Sequence, residues 1–192
     1  MSEKYTDDII KIEFDLFDKV NNAGGRASCQ DDFDTFYRQR GAQFDAWSEE
    51  TRESYLADLK KTSAEGRNLV MEKYAYMSGY DYMGEEDDII EKQTLVMQIM
   101  NQMTEETYAM RQKYPNLSAR ARPMGSEPGA MLSIDSYLVC ELLTYSCETL
   151  RRYKRHLDKL KEQGLSLPEL TLENTMKRYG YAGLDDAEAK LA

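Results

Sequence analysis

The sequence predicts an all-α protein that forms one domain of about seven helices. Apolar residues recur at steps of three or four along most of the chain, and no stretch sustains the alternation that is typical of a β-strand. A length of 192 residues suits one packed domain over residues 1–192. Only four prolines are present, so few positions interrupt a helix.

Local capping signals indicate where these helices begin and end. The predicted helices cover, in chain order, 4–22, 29–46, 48–66, 68–78, 86–113, 133–163 and 166–179, with a short helix from 185. Ser48 stands at an N-cap position, and Gly66 and Gly164 each follow the last apolar residue of a helix. Pro115 ends the long fifth helix. The segment 115–132 that follows is predicted to be irregular, as functional loops of this length often are.

Two stretches of the chain can be aligned with each other as an internal repeat. These stretches cover 33–77 and 134–181. Tyr55 and Gly66 have the same spacing as Tyr153 and Gly164, but heptad patterns make chance matches easy, so the repeat stays an open alternative. In that alternative, two helical hairpins pack around the long helix 86–113.

Net charge and cysteine content indicate the compartment and exclude some partners. A net charge of −10 repels phosphate backbones, so we expect no nucleic-acid partner. No run of 18 apolar residues and no signal peptide is recognisable, so we expect a cytoplasmic protein without a membrane partner. Of the three cysteines, Cys140 and Cys147 lie two helical turns apart, too far for a disulfide. Reduced thiols fit a reducing compartment.

The segment 24–32 carries the densest set of functional groups and is the first candidate site. Its candidate ligand-binding and catalytic residues are Arg26, Cys29, Gln30, Asp31 and Asp32. A structural interpretation is also open, because Ser28 and the two aspartates suit the start of a helix. A helix N-terminus would favour the thiolate of Cys29. The only available histidine base is His156, which the pattern of charges places on a solvated face.

Glu141 is a second candidate because it lies in the most apolar part of the predicted sixth helix. A buried carboxylate needs a partner, and Arg40 is its counterpart in the repeat alignment, so a buried Arg40–Glu141 pair is one interpretation. The alternative is that Glu141 and Tyr145 perform acid–base chemistry in a pocket. Arg122, on the loop 115–132, would bind a carboxylate or phosphate if this loop covers that pocket.

No zinc, di-iron or cofactor site is predicted, and a carboxylate-only Mg²⁺ or Ca²⁺ site stays open. The chain has one histidine, no Cys-x-x-Cys pair and no Glu-x-x-His pair. Gly24-Gly25 lacks the downstream residues of a phosphate-binding loop. The acidic run at 85–88 is interpreted as the charged first turn of the fifth helix.

Several short motifs resemble one bacterial family. They are Gly-Gly-Arg-Ala-Ser-Cys-Gln-Asp-Asp at 24–32, Glu-Lys-Tyr-Ala-Tyr-Met at 72–77, Arg-Ala-Arg-Pro at 120–123, Thr-Tyr-Ser at 144–146 and Asn-Thr-Met-Lys-Arg-Tyr-Gly-Tyr at 174–181. Together they resemble DUF4125, a domain of unknown function, and the likeness extends over most of the chain. The resemblance implies a soluble, anaerobe-associated bacterial protein, and it brings no activity, cofactor or catalytic residue with it.

Two functions therefore remain open. In the first, the chain binds a small polar, amino-acid-like metabolite and, as one version of this hypothesis, acts on it as an enzyme without a cofactor. In the second, it is a helical interaction module or a homodimer whose exposed apolar side chains bind a partner helix. Convergence of Cys29, Arg122 and Glu141 on one concavity would favour the first function.

Overall fold

Ten α-helices and one short 3-10 helix form the part of the protein that the computed structural model describes, which is 2–21, 24–80, 88–125 and 133–192. The helices are α1 (Ser2–Asp18), α2 (Phe33–Asp45), α3 (Glu49–Ala64), α4 (Leu69–Met77), α5 (Ile89–Lys113), α6 (Pro115–Ser118), α7 (Ile134–Leu142), α8 (Cys147–Glu162), α9 (Leu167–Arg178) and α10 (Leu184–Lys190). No strand occurs in these ranges, which confirms the all-α prediction. The predicted number of about seven helices was too low.

The predicted sixth helix is in fact two helices, α7 and α8, separated by residues 143–146. Thr144 ends α7, because its backbone N–H and its hydroxyl both donate to the carbonyl of Glu141, at 3.0 and 2.7 Å. Ser146 then caps α8 by accepting from the backbone N–H of Thr149 at 3.2 Å. Asp58, on α3, accepts from the backbone N–H of Ser146 at 3.0 Å and holds the break in place.

The start of α2 also differs from the prediction. Residues 28–31 form the 3-10 helix, in which the backbone N–H of Ala27 donates to the side-chain oxygen of Gln30 at 2.9 Å. Asp32, rather than Ser28, caps α2 by accepting from the backbone N–H of Thr35 at 2.9 Å. The cap therefore lies four residues later than the sequence pattern indicated.

The predicted irregular segment 115–132 begins with the helix α6. The backbone N–H groups of Asn116 and Leu117 donate to the carboxylate of Glu188 on α10, at 2.7 and 2.9 Å. This tertiary contact supplies acceptors for the free N–H groups of a one-turn helix. Residues 126–132 of the predicted loop, and residues 85–87 of the acidic run, lie outside the described residues.

The helices pack as two groups around the main hydrophobic core. In the first group α1 contacts α2, α3 and α4, and in the second α5 contacts α7, α8 and α9. The groups meet through contacts of α3 with α8, of α2 with α9 and of α4 with α7. The long helix α5 therefore lies mainly against the second group. No helix among the described residues is both long enough and apolar enough to cross a membrane.

Five buried aromatic residues join the two groups at the centre of the core. They are Phe44, Trp47, Tyr55, Tyr145 and Tyr153. The rings of Tyr55 and Tyr145, from the two different groups, have centroids 4.7 Å apart, and Trp47 contacts Tyr153 edge to face at 5.1 Å. The polar site described below lies directly on this aromatic layer, because Tyr55 and Tyr145 both turn their hydroxyl groups towards it.

The break between α7 and α8 generates the first prediction. Replacing Ser146 with alanine removes the N-cap of α8 and should lower the free energy of unfolding by about 1 kcal/mol, measured by urea denaturation. Ser48 caps α3 with the same geometry, accepting from Thr51 at 3.2 Å, so Ser48→Ala is the matched control and should cost a similar amount. An unchanged or higher stability of Ser146→Ala would indicate that one helix runs through residues 143–146.

Candidate functional site

The site is built on a buried ion pair between α2 and α7. Arg40 Nη1 donates to Glu141 Oε1 at 3.0 Å, which confirms the expected pairing of these two residues. Arg40 also forms two hydrogen bonds with Glu13 on α1, from Nε at 2.6 Å and from Nη2 at 2.5 Å. A guanidinium has its five N–H groups in a fixed fork, so one arginine can hold two carboxylates in defined positions.

Lys73, on α4, completes a cluster of two carboxylates and two cations. Its Nζ donates to Glu141 Oε2 at 2.8 Å. We call Glu13, Arg40, Lys73 and Glu141 the ion cluster. All four side chains are largely buried, with between 2 and 18% of their surface exposed. Because the formal charges sum to zero, the cluster carries no net charge into the core.

Neutral side chains satisfy the remaining hydrogen-bonding capacity on the core side. Tyr55 donates to Glu13 Oε1 at 2.6 Å, and Tyr145 donates to Glu141 Oε1 at 2.8 Å. Gln43 accepts from Arg40 Nη1 at 2.6 Å and donates to Glu141 Oε1 at 3.2 Å. Glu141 Oε1 thus has three donors, whereas among the described residues Oε2 accepts from Lys73 alone.

These contacts fix the protonation states at the centre of the site. Burial favours the neutral form of Glu141, but Arg40 and Lys73 outweigh it and hold the pKa of this carboxyl well below its usual range. Burial and the neighbouring Glu141 carboxylate raise the pKa of Tyr145 well above its ordinary value. At neutral pH Glu141 is a poor proton acceptor and Tyr145 a poor acid, which disfavours the acid–base interpretation of this pair.

A cavity of about 520 Å³ opens above the ion cluster, between α2, α4 and α7. We call it the polar cavity. Four of the predicted site residues line it: Cys29, Asp32, Arg122 and Glu141. The polar cavity therefore brings together Cys29, Arg122 and Glu141, which are far apart in the sequence, as the metabolite-binding hypothesis requires.

Arg122 lies at the exposed side of this cavity. Its guanidinium is stacked on the ring of Tyr137, with Cζ 4.2 Å from the ring centroid. No carboxylate among the described residues forms an ion pair with it. The backbone carbonyl of Arg122 accepts a hydrogen bond from Arg111 at the end of α5, which ties this part of the loop to the helix.

Cys29 and Asp32 reach the cavity from the segment before α2. Cys29 is exposed and is not part of a disulfide. The carboxylate of Asp32 is occupied as the N-cap of α2, and this hydrogen bond to Thr35 lowers the pKa of Asp32. Asp32 therefore orients α2 at the rim of the cavity and has less freedom to bind a ligand than the sequence indicated.

The other predicted site residues do not line the polar cavity and have structural contacts. Arg26 forms ion pairs with Asp18 at 2.5 Å and with Asp31 at 2.8 Å on the surface. Gln30 is buried and donates to the carbonyl of Phe17 at 2.9 Å, which fixes the turn after α1. Tyr145 lies below Glu141 in the aromatic layer.

Three important residues were not predicted from the sequence: Glu13, Lys73 and Tyr137. The first two had a recognisable signal. Glu13 follows Ile9 by four residues, and Lys73 follows Leu69 by four, so each charged residue lies on the apolar face of its helix. A charge on an apolar face needs a partner, which is the same argument that singled out Glu141.

His156 is not on a solvated face, contrary to the sequence interpretation. Its ring is half-buried, and Nε2 lies 2.8 Å from the backbone carbonyl of Ala46, beyond the end of α2. It does not line the polar cavity that holds Cys29. Burial lowers the pKa of His156, although the hydrogen bond to Ala46 opposes this change.

Comparison with known proteins identifies the family. The family model described as "Protein of unknown function (DUF4125)" matches residues 3–189. The chain belongs to the DUF4125 family. No curated protein and no solved structure matches the chain at a significant level. Among the residues of this DUF4125 protein that the structure describes, no group of three or more histidine, cysteine or acidic side chains is arranged to hold a metal ion.

The ion cluster generates the second prediction. Replacing Glu141 with glutamine leaves Arg40 and Lys73 buried with excess positive charge, so the free energy of unfolding should fall by about 3–5 kcal/mol in urea denaturation. The matched control is Glu148→Gln, because Glu148 pairs with Arg152 on the exposed surface of α8 at 2.7 Å and should be dispensable for stability. Equal effects of the two substitutions would contradict the assigned importance of the cluster.

The third prediction concerns pH. The pKa of His156 is lower in the folded state than in the unfolded chain, so the unfolded state binds the proton more readily. The stability contributed by neutral His156 should be complete above about pH 6.5 and should be lost as the pH falls below this value. His156 is the only histidine, so denaturation between pH 7.5 and 5.5 isolates its contribution. His156→Gln should flatten the profile, and an equally steep profile in this variant would contradict the prediction.

Proposed function

We propose that the protein binds a small metabolite that carries both a carboxylate and an amine, in the polar cavity. The observation that carries this proposal is the position of two cations beside one ring of the cavity wall. Arg122 Cζ lies 4.2 Å and Lys73 Nζ 5.9 Å from the centroid of Tyr137. Both cations line the polar cavity, so an anionic group bound there would be attracted to both of them.

The carboxylate of the ligand is assigned to Arg122 and Lys73. The guanidinium of Arg122 has no carboxylate partner among the described residues and can form the two parallel hydrogen bonds that a carboxylate accepts. The ammonium group of Lys73 has three N–H donors, of which one is directed at Glu141 in the described structure. Both groups therefore have donors available for a ligand.

The amine of the ligand is assigned to Glu141. Its Oε2 atom has one donor among the described residues, and the ion cluster holds the carboxylate ionised. An ammonium group is the complementary donor for such an oxygen. Phe17, Phe36 and Tyr74 supply apolar wall for the remainder of the ligand. This combination of charges is that of an amino acid or a close relative.

Binding is a better-supported role for this site than catalysis. The directions of the pKa shifts at Glu141 and Tyr145 remove both from proton transfer near neutral pH. A cofactor-independent enzyme remains the second version of the hypothesis, with Cys29 as its nucleophile. It is supported less well, because His156 does not line the cavity beside that thiol.

The interaction-module hypothesis, with a homodimer as one form of it, is also supported less well. Exposed apolar side chains do occur along α5, at Ile90, Met97 and Tyr108. Exposed polar residues lie between them on the same face, such as Thr94 and Asn101. A helix-binding surface would need a continuous apolar stripe, which these separated side chains do not form.

Another groove among the described residues lies elsewhere and has less to offer a ligand. It measures about 740 Å³ and is lined by residues from the end of α5 to α10. Four of its charged groups form two ion pairs, Lys113 with Glu169 at 2.5 Å and Lys177 with Glu173 at 2.8 Å. A ligand there would have to displace these exposed ion pairs.

We also propose that the chain contains an internal repeat, now aligned at a constant spacing of 98 residues, so that Glu141 corresponds to Gln43 and not to Arg40 as in the alignment drawn from the sequence. The helices α3 and α8 each have 16 residues, begin after Ser48 and Ser146, and are followed by Gly66 and Gly164. Both glycines have positive φ, 75° and 70°, so both helices end in the same left-handed turn. The repeat makes α2 the counterpart of α7 and α4 the counterpart of α9. The contact between α2 and α9 is therefore equivalent to the contact between α7 and α4.

A bacterial, cytoplasmic location is part of the same proposal. It is supported by the three free cysteines, of which Cys29 is exposed, because exposed thiols persist in reducing compartments. The family resemblance supports the bacterial origin.

The fourth prediction tests ligand binding by thermal shift. Each natural amino acid is compared with two analogues, one that lacks the carboxylate and one that lacks the amine. At least one amino acid should raise the melting temperature, and neither of its two analogues should do so. Arg122→Gln should weaken binding of that amino acid by about 10- to 100-fold, because a charged hydrogen bond is lost.

Arg120 provides the matched control for this experiment. It lies two residues earlier, is exposed, and donates to the backbone carbonyl of Asn116 rather than facing the polar cavity. Arg120→Gln should bind the amino acid as the unmodified protein does. An unchanged melting temperature across all natural amino acids, or equal losses in the two arginine variants, would contradict the proposal.

A further inference from the structure

A second cavity, of about 390 Å³, adjoins the polar cavity across α7. It lies between α5, α7 and α9, and Lys73, Tyr137 and Glu141 line both cavities. The remainder of its wall is mainly apolar, with side chains such as Met103, Met110, Leu138, Tyr153 and Leu172. We call it the apolar cavity. A concave, mainly apolar surface with few polar groups is typical of a small-molecule site.

Trp47 lines this cavity and has an unsatisfied donor. The residue is buried, with 3% of its surface exposed, and its indole Nε1 has no hydrogen-bond acceptor among the described residues. Buried N–H groups are nearly always paired in proteins, so an unpaired one on a cavity wall needs an explanation. An oxygen atom of a bound ligand would supply the missing acceptor.

Arg111 is the second donor on this wall. It is half-buried near the end of α5, and its Nε atom is buried without an acceptor among the described residues. No described carboxylate forms an ion pair with Arg111, and its Nη2 donates to the backbone carbonyl of Arg122. A positive charge with an unpaired N–H at the edge of an apolar cavity favours an anion whose remaining atoms are apolar.

We propose that the apolar cavity binds a monocarboxylic acid with an apolar chain, separately from the ligand of the polar cavity. Arg111 binds the carboxylate, and the chain packs against Met103, Leu138 and Leu172. Trp47, deeper in the wall, donates its N–H to any further oxygen that the chain carries. The ion cluster does not take part in recognition, because an apolar chain leaves Glu141 and Lys73 paired with each other.

The proposed repeat offers an independent reason for a cavity at this place. With a spacing of 98 residues, three of the residues that line both cavities correspond to three others that do so. The pairs are Gln39 with Tyr137, Gln43 with Glu141, and Lys73 with Thr171. Residues that line only the polar cavity also correspond to residues that line only the apolar cavity, as in Tyr55 with Tyr153, Leu69 with Leu167 and Tyr74 with Leu172. The two cavities are therefore counterparts under the proposed repeat.

Intrinsic fluorescence tests this proposal directly, because Trp47 is the only tryptophan. Titration with octanoate, below its micelle concentration, should change the Trp47 emission with a saturable, one-site dependence. Octan-1-ol, which lacks the carboxylate, should bind at least 10-fold more weakly. A change that does not saturate, or equal affinity for octan-1-ol, would overturn the proposal.

Variants separate this site from the polar cavity. Arg111→Gln should weaken octanoate binding at least 10-fold, and Leu172→Phe, which fills the cavity, should abolish it. Arg122→Gln should leave octanoate affinity within 2-fold of the unmodified protein, because this substitution keeps the backbone carbonyl that Arg111 contacts. Helical circular dichroism of each variant checks that it is folded.

The outcomes distinguish the two proposals from each other. Octanoate binding that is lost in Arg111→Gln and kept in Arg122→Gln supports the apolar cavity, whatever the amino acids do in the thermal-shift experiment. If folded Arg111→Gln and folded Leu172→Phe both bind octanoate with unchanged affinity, the assignment of the acid to this cavity is overturned. The amino-acid proposal would be unaffected, because the thermal-shift experiment tests it separately.

Discussion

The structure depends on one arginine that holds two carboxylates inside the core. Arg40 joins Glu13 of α1 to Glu141 of α7, so three helices must be in place before its charge is neutralised. Desolvation of charged groups is costly, and partial assembly would leave at least one of them unpaired. The cluster therefore couples the two groups of helices more specifically than the apolar contacts around it, which tolerate small shifts in position.

The same interaction determines what the site can do. Charges that are needed to neutralise one another in the core are unavailable for proton transfer, as the depressed pKa of Glu141 indicates. Their outer atoms remain available for hydrogen bonding, and Glu141 and Lys73 line both cavities. A rigid, neutral ion cluster is thus a preorganised wall, whose donors and acceptors do not need to reorganise when a ligand arrives.

The sequence predicted the features that depend on local chemistry. Ser48 marks the start of α3 and Gly66 follows its end, as expected, because a cap and a left-handed turn depend only on neighbouring residues. The pairing of Glu141 was also predictable, since a carboxylate in an apolar stretch must find a cation. The division of α7 from α8 was not, because Asp58, which holds Ser146, is 88 residues away along the chain.

The candidate site was predicted only in part, for a similar reason. The segment 24–32 concentrates polar groups, but most of them stabilise the segment itself: Arg26 pairs with Asp31, and Gln30 closes the turn after α1. A high density of polar side chains in the sequence does not show which of them bind one another and which of them face a cavity. Tyr137 was missed because it is one residue in a helical pattern, and only the packing of α4 against α7 brings it beside Lys73.

The proposed repeat places an amide and a carboxylate at equivalent positions at the centre of the site. Gln43 and Glu141 are counterparts in that repeat, and Gln43 donates to Glu141 Oε1 at 3.2 Å. Two carboxylates in this contact would repel each other, and one would have to be protonated. An amide beside a carboxylate avoids this, since it can donate to Glu141 while its oxygen accepts from Arg40. The position where the two halves meet is therefore where they must differ.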